Sequence, residues 1–415
     1  MRIHLIQNGL ADGQSHFLGL TLGWLEASRD LGFPMTVYGS RKMSGAVQRA
    51  SGALPVFRYG PNAILMTEPA EHRRLTSFME AALTFSSDCR AIPIEGVEAH
   101  DLIVLDTGGA ADMFGLALWL ARLPPARRPR VLCQLHHLDH DLSFDAASGT
   151  VKGDVSPYRY ALYKLARIAG RERIFLCAAG EMLARAAQAA FDHPCLRSPM
   201  PTRLVEAGAG PDGPPAPRHD VSVVGGYRLE RGSAILSTVL RYLGRRHPNR
   251  SMLIQLKEPD DAAPLAAAAA DAALALTTLA GNLSDAAYAE ALRSAHVTLL
   301  PYHPLRYALR TSGVFSEAVA CGRVVVAPAA TWMGDEIAAG TAAGVTFDQY
   351  TAASIAHAVA VALDQLPGLS ELARTLAPAW RERHSSKALA AFALRLPQGL
   401  PARPPGRPAP GAPQS

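Results

Sequence analysis

Short runs of apolar residues, each the length of a β-strand, alternate with helix-patterned segments along almost the whole chain. Strands that are apolar throughout and are joined by helices are typical of parallel sheets covered on both faces. The alternation stops once, at the Gly/Pro-rich stretch AGAGPDGPPAPRH over 207–219, and then begins again. Such a stretch is typical of a domain linker. The chain is therefore predicted to be an α/β protein with two doubly wound, Rossmann-like domains whose strand-end loops face a central cleft.

The same pattern divides the chain into segments. We expect an N-terminal Rossmann-like domain over 1–206, the linker over 207–219, a second Rossmann-like domain over 220–366, a C-terminal helix over 367–396 and a disordered Pro-rich tail over 397–415. The tail is predicted to be disordered because it holds too few apolar residues to form a core. Within the second domain, the alanine-rich stretch from Ala262 to Leu279 predicts a surface helix.

The composition narrows the class of protein. The formal net charge is +5 and no long Lys/Arg block is present, so a nucleic-acid partner is not expected. No apolar stretch reaches about 18–20 residues without charges or breakers, so no transmembrane helix is predicted. The start of the chain, MRIHLIQN, lacks a signal-peptide pattern, and the five cysteines show no CxxC spacing, which favours a cytoplasmic location. Basic clusters such as Arg41-Lys42 could face the inner surface of a membrane, although solvated loop charges explain them more simply.

The segment from Ala295 to Glu336 has the order strand, polar loop, helix, strand. Its loop ends in Ser312-Gly313 at the predicted helix start, with Arg310 just before. A helix start offers unpaired N–H groups and a partial positive charge, and a glycine lets a phosphate approach the backbone closely. Glu317 follows one turn later and could accept hydrogen bonds from sugar hydroxyls. The alternative interpretation of the Ser-Gly pair is an ordinary helix cap.

A second candidate anion site follows the first strand of the second domain. Gly225 and Gly226 form a turn that a diphosphate can approach, and Arg228 and Arg231 can bind phosphate oxygens. The sequence is not the dinucleotide G-x-G-x-x-G, and no G-x-x-x-x-G-K-[ST] occurs, so a nicotinamide enzyme and a P-loop NTPase are both disfavoured.

In the first domain, the dense run of histidines and aspartates that begins with His136 and His137 comes directly after a predicted strand. A strand-end histidine can hydrogen-bond a sugar or assist a leaving group, while a loop histidine without a role is the alternative. A metal site is not expected, because the run does not lie on a helix as H-E-x-x-H requires.

The first strand-to-helix turn and the end of a buried strand supply candidates on the acceptor side. These candidates are Asp12, Gly13, His16 and Asp106. The structural alternatives are a turn residue at Asp12 with a simple helix N-cap at Ser15, which explain the first segment equally well, and a turn-former at Asp106 before Gly108-Gly109.

These motifs in the second domain, from Asp220 to about Asp348, resemble those of the family 4 glycosyltransferases with the GT-B fold. The matching features are the glycine turn with Arg228 and Arg231, the stretch from Gly281 to Tyr302 that ends in LLPY, and Glu317-Ala318 at the second glutamate of the family's Glu-x7-Glu motif. Leu309 occupies the position of the first glutamate. The segment YALRTSG that contains it resembles a bacterial subgroup in which arginine and Ser-Gly take the phosphate end.

The resemblance implies a glycosyltransferase of surface polysaccharide, glycan or glycolipid assembly. It would move a sugar from a nucleotide-sugar to a glycan, polysaccharide or lipid-linked acceptor, with retention, without an obligatory metal and without a further cofactor. The donor would be bound by a set of residues in the second domain: Gly225, Gly226, Tyr302, Arg310, Thr311, Ser312, Gly313 and Glu317. Catalytic roles would fall to Arg228 and Arg231 at the departing diphosphate, and to His136 or His137 at the sugar. The alternatives are a binding protein that has lost turnover and a sugar-nucleotide epimerase on the same fold.

Overall fold

The computed structural model describes residues 1–12, 16–60, 76–139, 141–201 and 217–396. Most of the predicted linker and all of the predicted Pro-rich tail lie outside these ranges. Among the described residues, no single helix is long and apolar enough to cross a membrane. One pair of consecutive helices reaches that length and composition together, but the two are bent by 84° relative to each other, and the first is largely buried in the second domain.

The first half of the chain forms one parallel sheet with helices and a small antiparallel hairpin. Its elements are β1 (Ile3–Ile6), α1 (His16–Leu31), β2 (Met35–Ser40), α2 (Gly45–Ser51), β3 (Leu54–Phe57), α3 (Thr76–Asp88), β4 (Leu102–Asp106), α4 (Ala110–Leu120), β5 (Arg130–Leu135), β6 (Ser143–Asp145), β7 (Thr150–Lys152), α5 (Ser156–Ala169), β8 (Ile174–Ala178), α6 (Glu181–Phe191) and β9 (Cys195–Arg197). The sheet has the strand order β3-β2-β1-β4-β5-β8-β9, and β6 and β7 form the hairpin.

The second half repeats this architecture. Its elements are β10 (His219–Val223), α7 (Ser233–Arg246), β11 (Ser251–Leu256), α8 (Ala262–Asp271), β12 (Ala275–Ala280), α9 (Asp285–Arg293), β13 (Ala295–Leu299), α10 (Pro304–Tyr307), α11 (Gly313–Ala320), β14 (Val324–Pro328), α12 (Trp332–Ala338), β15 (Gly344–Phe347), α13 (Ala352–Asp364), α14 (Leu366–Arg383) and α15 (Ser386–Arg395). The parallel sheet has the order β12-β11-β10-β13-β14-β15.

Both sheets reverse their strand order next to their first strand. In the first sheet β1 pairs with β2 on one side and β4 on the other, and in the second β10 pairs with β11 and β13. At such a switch point the loops after the two central strands diverge and leave a crevice at the carboxyl ends. The prediction of two doubly wound, Rossmann-like domains is confirmed, and each of the two large sheets has one switch point next to its first strand.

Two predicted segments differ from the structure. The surface helix predicted from Ala262 to Leu279 is wrong in its second half, because α8 ends at Asp271 and the chain returns as β12, which pairs with β11. β12 lies at the edge of the sheet and none of its residues is buried, so its sequence lacks the continuous apolar run of a buried strand. The segment 367–396, predicted as one helix, forms α14 and α15, and Ser385 caps the second of these.

The last helix returns to the first domain. α15 packs against α1, and its Leu389, Ala390 and Ala393 belong to the same buried cluster as Trp24 and Ala27. The returning C-terminal segment therefore joins the second half of the chain to the first.

Candidate active site between the two domains

The two predicted anion-binding loops of the second domain lie against each other. Gly225 and Gly226, directly after β10, have φ values of +96° and +92°. A Cβ atom on Gly225 would lie 2.5 Å from Cγ2 of Val314, in the first turn of α11. Glycine is needed here both for its backbone conformation and for this close approach. The glycine turn and the start of α11 thus form one continuous surface at the switch point of the second sheet.

Arg231 covers the glycine turn. Its Nη1 would lie 3.1 Å from a Cβ atom on Gly225. Its Nε donates a hydrogen bond of 3.2 Å to the Tyr307 hydroxyl, and its guanidinium carbon lies 5.9 Å from the centroid of the Tyr302 ring. The two tyrosine rings are buried and stack with their centroids 4.2 Å apart. Among the described residues, no Asp or Glu forms an ion pair with Arg231, and Tyr307 and Tyr302 hold its guanidinium. Its positive charge is therefore not neutralised by a carboxylate and is available to an anion.

Arg228 differs from Arg231 in its surroundings. Its side chain is 59% exposed and lies 4.0 Å from the Glu230 carboxylate. The Arg228 side chain can move in solvent, whereas Arg231 is held by two aromatic rings.

The start of α11 is both capped and open. Ser312 Oγ accepts a hydrogen bond of 3.2 Å from the backbone N–H of Phe315, so Ser312 has the ordinary capping role considered from the sequence. At Gly313, by contrast, a Cβ atom would meet nothing within 4 Å. The backbone beside Gly313 is therefore open, and the unpaired N–H groups of a helix start are a common site for a phosphate.

Glu317 lies one turn along α11 and is paired with a residue of α9. The Tyr288 hydroxyl donates a hydrogen bond of 2.8 Å to Glu317 Oε2. Burial raises the pKa of Glu317 to about 7, against the opposite effect of the Tyr288 hydrogen bond. The pKa of this carboxyl group therefore lies far above that of an exposed glutamate, and a ligand that donates hydrogen bonds to it would favour the ionised form.

On the first domain, three side chains at the ends of adjacent strands form a hydrogen-bonded chain. His136, after β5, lies with Nε2 2.8 Å from Oδ1 of Asp106 at the end of β4. Gln7, after β1, donates a hydrogen bond of 2.7 Å from Nε2 to the other oxygen of Asp106. Asp106 is 1% exposed and His136 retains 13% of its side-chain surface. A carboxylate bonded to one ring nitrogen fixes the tautomer of the histidine and leaves the other nitrogen as a hydrogen-bond acceptor.

The neighbouring His137 has a different environment. Its backbone pairs with Arg310 of the second domain in an antiparallel bridge. Burial lowers the pKa of the His137 imidazole, and the nearby Arg310 lowers it further, so this histidine is held neutral. The guanidinium carbon of Arg310 lies 5.2 Å from the centroid of the Tyr307 ring.

The predicted acceptor-side residues are described only in part. Asp12 is exposed at the end of the loop after β1, and Gly13 lies outside the described residues. His16 begins α1, but its side chain is not described. Asp106 is buried, and its carboxylate is bonded to His136 and Gln7. Among the described residues, no group of three or more His, Cys, Asp or Glu side chains could hold a metal ion.

The sequence did not single out two residues of this region, Gln7 and Tyr288. Gln7 could have been found, because it follows the first strand of a doubly wound sheet, where the crevice is expected. Tyr288 carries no local signal, since its partner Glu317 is brought to it only by the fold. Tyr307 belongs to the YALRTSG segment, but its contact with Arg231 could not be predicted from that motif.

Comparison with solved structures gives the class of fold. The chain is similar to a glycosyltransferase from Rickettsia africae, with a TM-score of 0.59 and 11% identity over 96% of each chain. It is similar to Anabaena Alr3699/HepE in complex with UDP, with a TM-score of 0.60 and 13% identity, covering 96% of this chain and 99% of that one. The N-terminal domain of Candida albicans trehalose-6-phosphate phosphatase matches with a TM-score of 0.63 and 10% identity over 96% of each chain.

These similarities extend over both domains, and the fold is therefore GT-B. At 10–13% identity they show the fold alone. No protein-family model matches the sequence, and no curated protein matches it.

Proposed function

We propose that this protein is a glycosyltransferase that moves a sugar from a nucleotide-sugar to a glycan, polysaccharide or lipid-linked acceptor. One observation carries the proposal: a half-buried arginine without a carboxylate partner and an open helix start meet at one glycine turn. Arg231 and the α11 start at Gly313 provide this arrangement. A site with positive charge, donors and no anion of its own is suited to a diphosphate. The solved complexes of Alr3699/HepE with UDP and with UDP-glucose support the choice of a nucleotide-sugar.

The proposed position of the donor follows from where the anion-binding groups, Glu317 and His136 lie in the structure. The diphosphate binds the backbone N–H groups at Gly313 and the Arg231 guanidinium, and the ribose hydroxyls donate to Glu317. The donor sugar then points toward His136, whose remaining ring nitrogen accepts a hydrogen bond from a sugar hydroxyl. Arg228 adds a peripheral positive charge.

The reaction breaks the bond between the anomeric carbon and the diphosphate oxygen and forms a bond to the acceptor oxygen. Negative charge grows on the departing diphosphate, where the α11 N-terminus and Arg231 stabilise it. These fixed charges allow the transfer to proceed without a metal ion, and we propose retention of the anomeric configuration. No cofactor is required beyond the nucleotide-sugar substrate.

A protein that binds the donor without turnover is the second candidate. The observation that favours it is Leu309, which stands in the position of a family carboxylate and is buried away from the cleft. Binding of a nucleotide in the absence of any transfer or donor hydrolysis would support this candidate.

A thermal-shift screen of the whole chain with UDP, GDP, ADP and CMP tests the binding step, because a ligand of the folded state raises its stability by mass action. Donor hydrolysis and transfer are then measured with sugars linked to the nucleotide that binds. The proposed function is rejected if none of the four nucleotides and none of their sugar conjugates stabilises the protein.

We also propose a cytoplasmic protein that associates peripherally with the inner face of a membrane, where a lipid-linked acceptor would be presented. Helix α5 exposes Tyr160 and Tyr163, by 51% and 56%, beside the exposed Arg159 and Arg167. Aromatic and basic side chains on one helix surface suit an anionic interface. Co-sedimentation with anionic vesicles but not with zwitterionic vesicles is the expected result, and Tyr163→Ser with Arg167→Gln should weaken it.

A further inference from the structure

A short antiparallel contact joins the candidate histidine of the first domain to the donor loop of the second. We name it the interdomain ladder, formed by residues His136–Leu138 and Leu309–Thr311. The backbone N–H of Leu138 donates to the Leu309 carbonyl at 3.1 Å, and that of Thr311 donates to the His136 carbonyl at 3.0 Å. Thr311 Oγ1 donates a further hydrogen bond of 3.2 Å to the same His136 carbonyl. The ladder links the residue that follows β5 to the segment that leads into α11.

Leu309 anchors this ladder through its side chain. It is 6% exposed and belongs to the hydrophobic cluster of the first domain, together with Leu135, Leu138 and Leu142. Among the described residues, it is the only fully buried member of that cluster that comes from the second domain. The second-domain loop therefore places one apolar side chain into the core of the other domain.

The anchor lies a short distance from the proposed reacting groups on both sides. On the first domain, the His136 carbonyl accepts hydrogen bonds from Thr311 of the ladder. The His136 side chain is held by Asp106. On the second domain, Ser312 caps α11 directly after the ladder. A carboxylate at position 309 could not take the place of Leu309, because an ionised group without a partner is very unfavourable in an apolar core.

We infer that Leu309 is a positioning residue, which fixes the start of α11 relative to His136 before any ligand binds. The inference rests on the proposed function for its catalytic consequence, but the contact itself does not depend on it. A loop that is already ordered loses little conformational entropy when the donor binds. Reacting groups that are already held in place likewise lose little entropy on reaching the transition state. The residue that breaks the family motif thus has a role of its own.

Hydrogen exchange of the whole free protein tests the contact. Leu309→Ala should raise the exchange rate at the Leu138 and Thr311 amides by about tenfold or more, while amides of β4 stay protected. Leu309→Met, which keeps an apolar side chain of similar volume, should restore protection. Leu305→Ala is the matched control, because Leu305 lies on the adjacent α10 and is 77% exposed. If Leu309→Ala does not fold, Leu309→Val should give a smaller increase at the same amides.

Measurement of kcat and of the KM of the donor distinguishes a positioning role of Leu309 from a merely structural one. Leu309→Ala should lower kcat by about tenfold while the KM of the donor changes by less than about threefold, and Leu309→Met should recover kcat. Unchanged exchange in the Ala variant, or a Leu309→Glu protein as active as the native one, would overturn the inference. A native chain that binds no nucleotide would instead reject the proposed function, and the exchange experiment would still decide whether the ladder exists.

Discussion

The polar groups on the two sides of the cleft differ in whether they already have partners within the protein. On the first domain, the Asp106 carboxylate already receives hydrogen bonds from Gln7 and His136, so the His136 ring is held without a ligand. On the second domain, Arg231 forms no ion pair with a carboxylate of the described chain, and the space beside Gly313 at the helix start is open. A carboxylate that holds a histidine orients it, whereas a charge without a counter-ion attracts a ligand. The first side is therefore expected to act mainly on rate, whereas the second also determines affinity.

The largest effect is expected from Asp106→Asn. The amide cannot accept a hydrogen bond at both positions as the carboxylate does, so His136 loses its fixed tautomer and orientation. We expect kcat to fall by about 10²-fold or more, with the Kd of the nucleotide changed by less than about twofold. Steady-state transfer and calorimetric titration measure the two quantities.

Asp101→Asn is the matched control for that variant. Asp101 is a second buried aspartate near a histidine, with its Oδ2 3.5 Å from Nε2 of His4, but it lies before β4, at the opposite end of the same strand. Its replacement should affect stability and leave kcat of the folded protein unchanged. Equal losses of kcat in the two variants would show that the Asp106 effect is only structural.

Arg231→Ala should have the next largest effect, and we expect it in the Kd of the nucleotide. Removal of a half-buried charge-assisted contact to phosphate should raise the Kd of the nucleotide by about 10- to 100-fold. Arg245→Ala, which removes an exposed arginine at the far end of α7, is the control. Unchanged affinity in Arg231→Ala would mean that the glycine turn does not hold the diphosphate, and the contrast between the two sides of the cleft would be lost.

The difference between the two sides also explains what the sequence could predict. Glycine turns, arginines and a Ser-Gly helix start are local signals, and each was found in the loop where the structure has it. Asp106 and His136 meet because β4 and β5 are neighbours in register, which no local pattern encodes. Leu309 was read from the family motif as a missing carboxylate, and its apolar contact became visible only with the two domains in place. Whether these residues bind a donor stays a prediction.

The secondary structure was likewise predicted where the signal is local and missed where it depends on contacts between distant segments. Strands such as β4 and β14 are buried along their whole length and were found from their continuous apolar runs. β12 was missed because half-exposed edge residues follow an alanine run that favours helix. The position of α15 on the first domain depends on packing against α1, which is distant in sequence.

A smaller effect is expected from pH. The pKa of Glu317 is about 7 in the free protein, raised by burial above the value of an exposed glutamate. If ribose hydroxyls donate to the ionised form, binding releases a proton and affinity rises with pH, by about tenfold between pH 6 and pH 8. Titration in buffers of different ionisation enthalpy detects the released proton. Glu317→Gln should bind more weakly at pH 8 and show no such dependence.

The stability of the free protein should change in the opposite direction over part of this range. The Glu317 pKa is higher in the folded than in the unfolded state, so its contribution is fully present below the unfolded value of about 4.3 and is lost as pH rises through about 7. Relative to Glu317→Gln, the native protein should therefore lose stability as the pH rises toward 7 in the absence of nucleotide. A constant difference would contradict the raised pKa.

The smallest effect separates the two arginines of the second domain. Arg228 is 59% exposed, and solvent and salt screen its charge, so Arg228→Ala should raise the Kd of the nucleotide by only about two- to fourfold. The effect should vanish at about 0.5 M salt, where the screening length is shorter, while the effect of Arg231→Ala should persist because its partners exclude water. A loss in Arg228→Ala as large as that in Arg231→Ala would show that the loop closes over the bound diphosphate. The site of the second domain would then be complete only with the nucleotide bound. The hydrogen-bonded group of the first domain is formed already in the free protein, so the two sides would differ in this respect more than the free structure indicates.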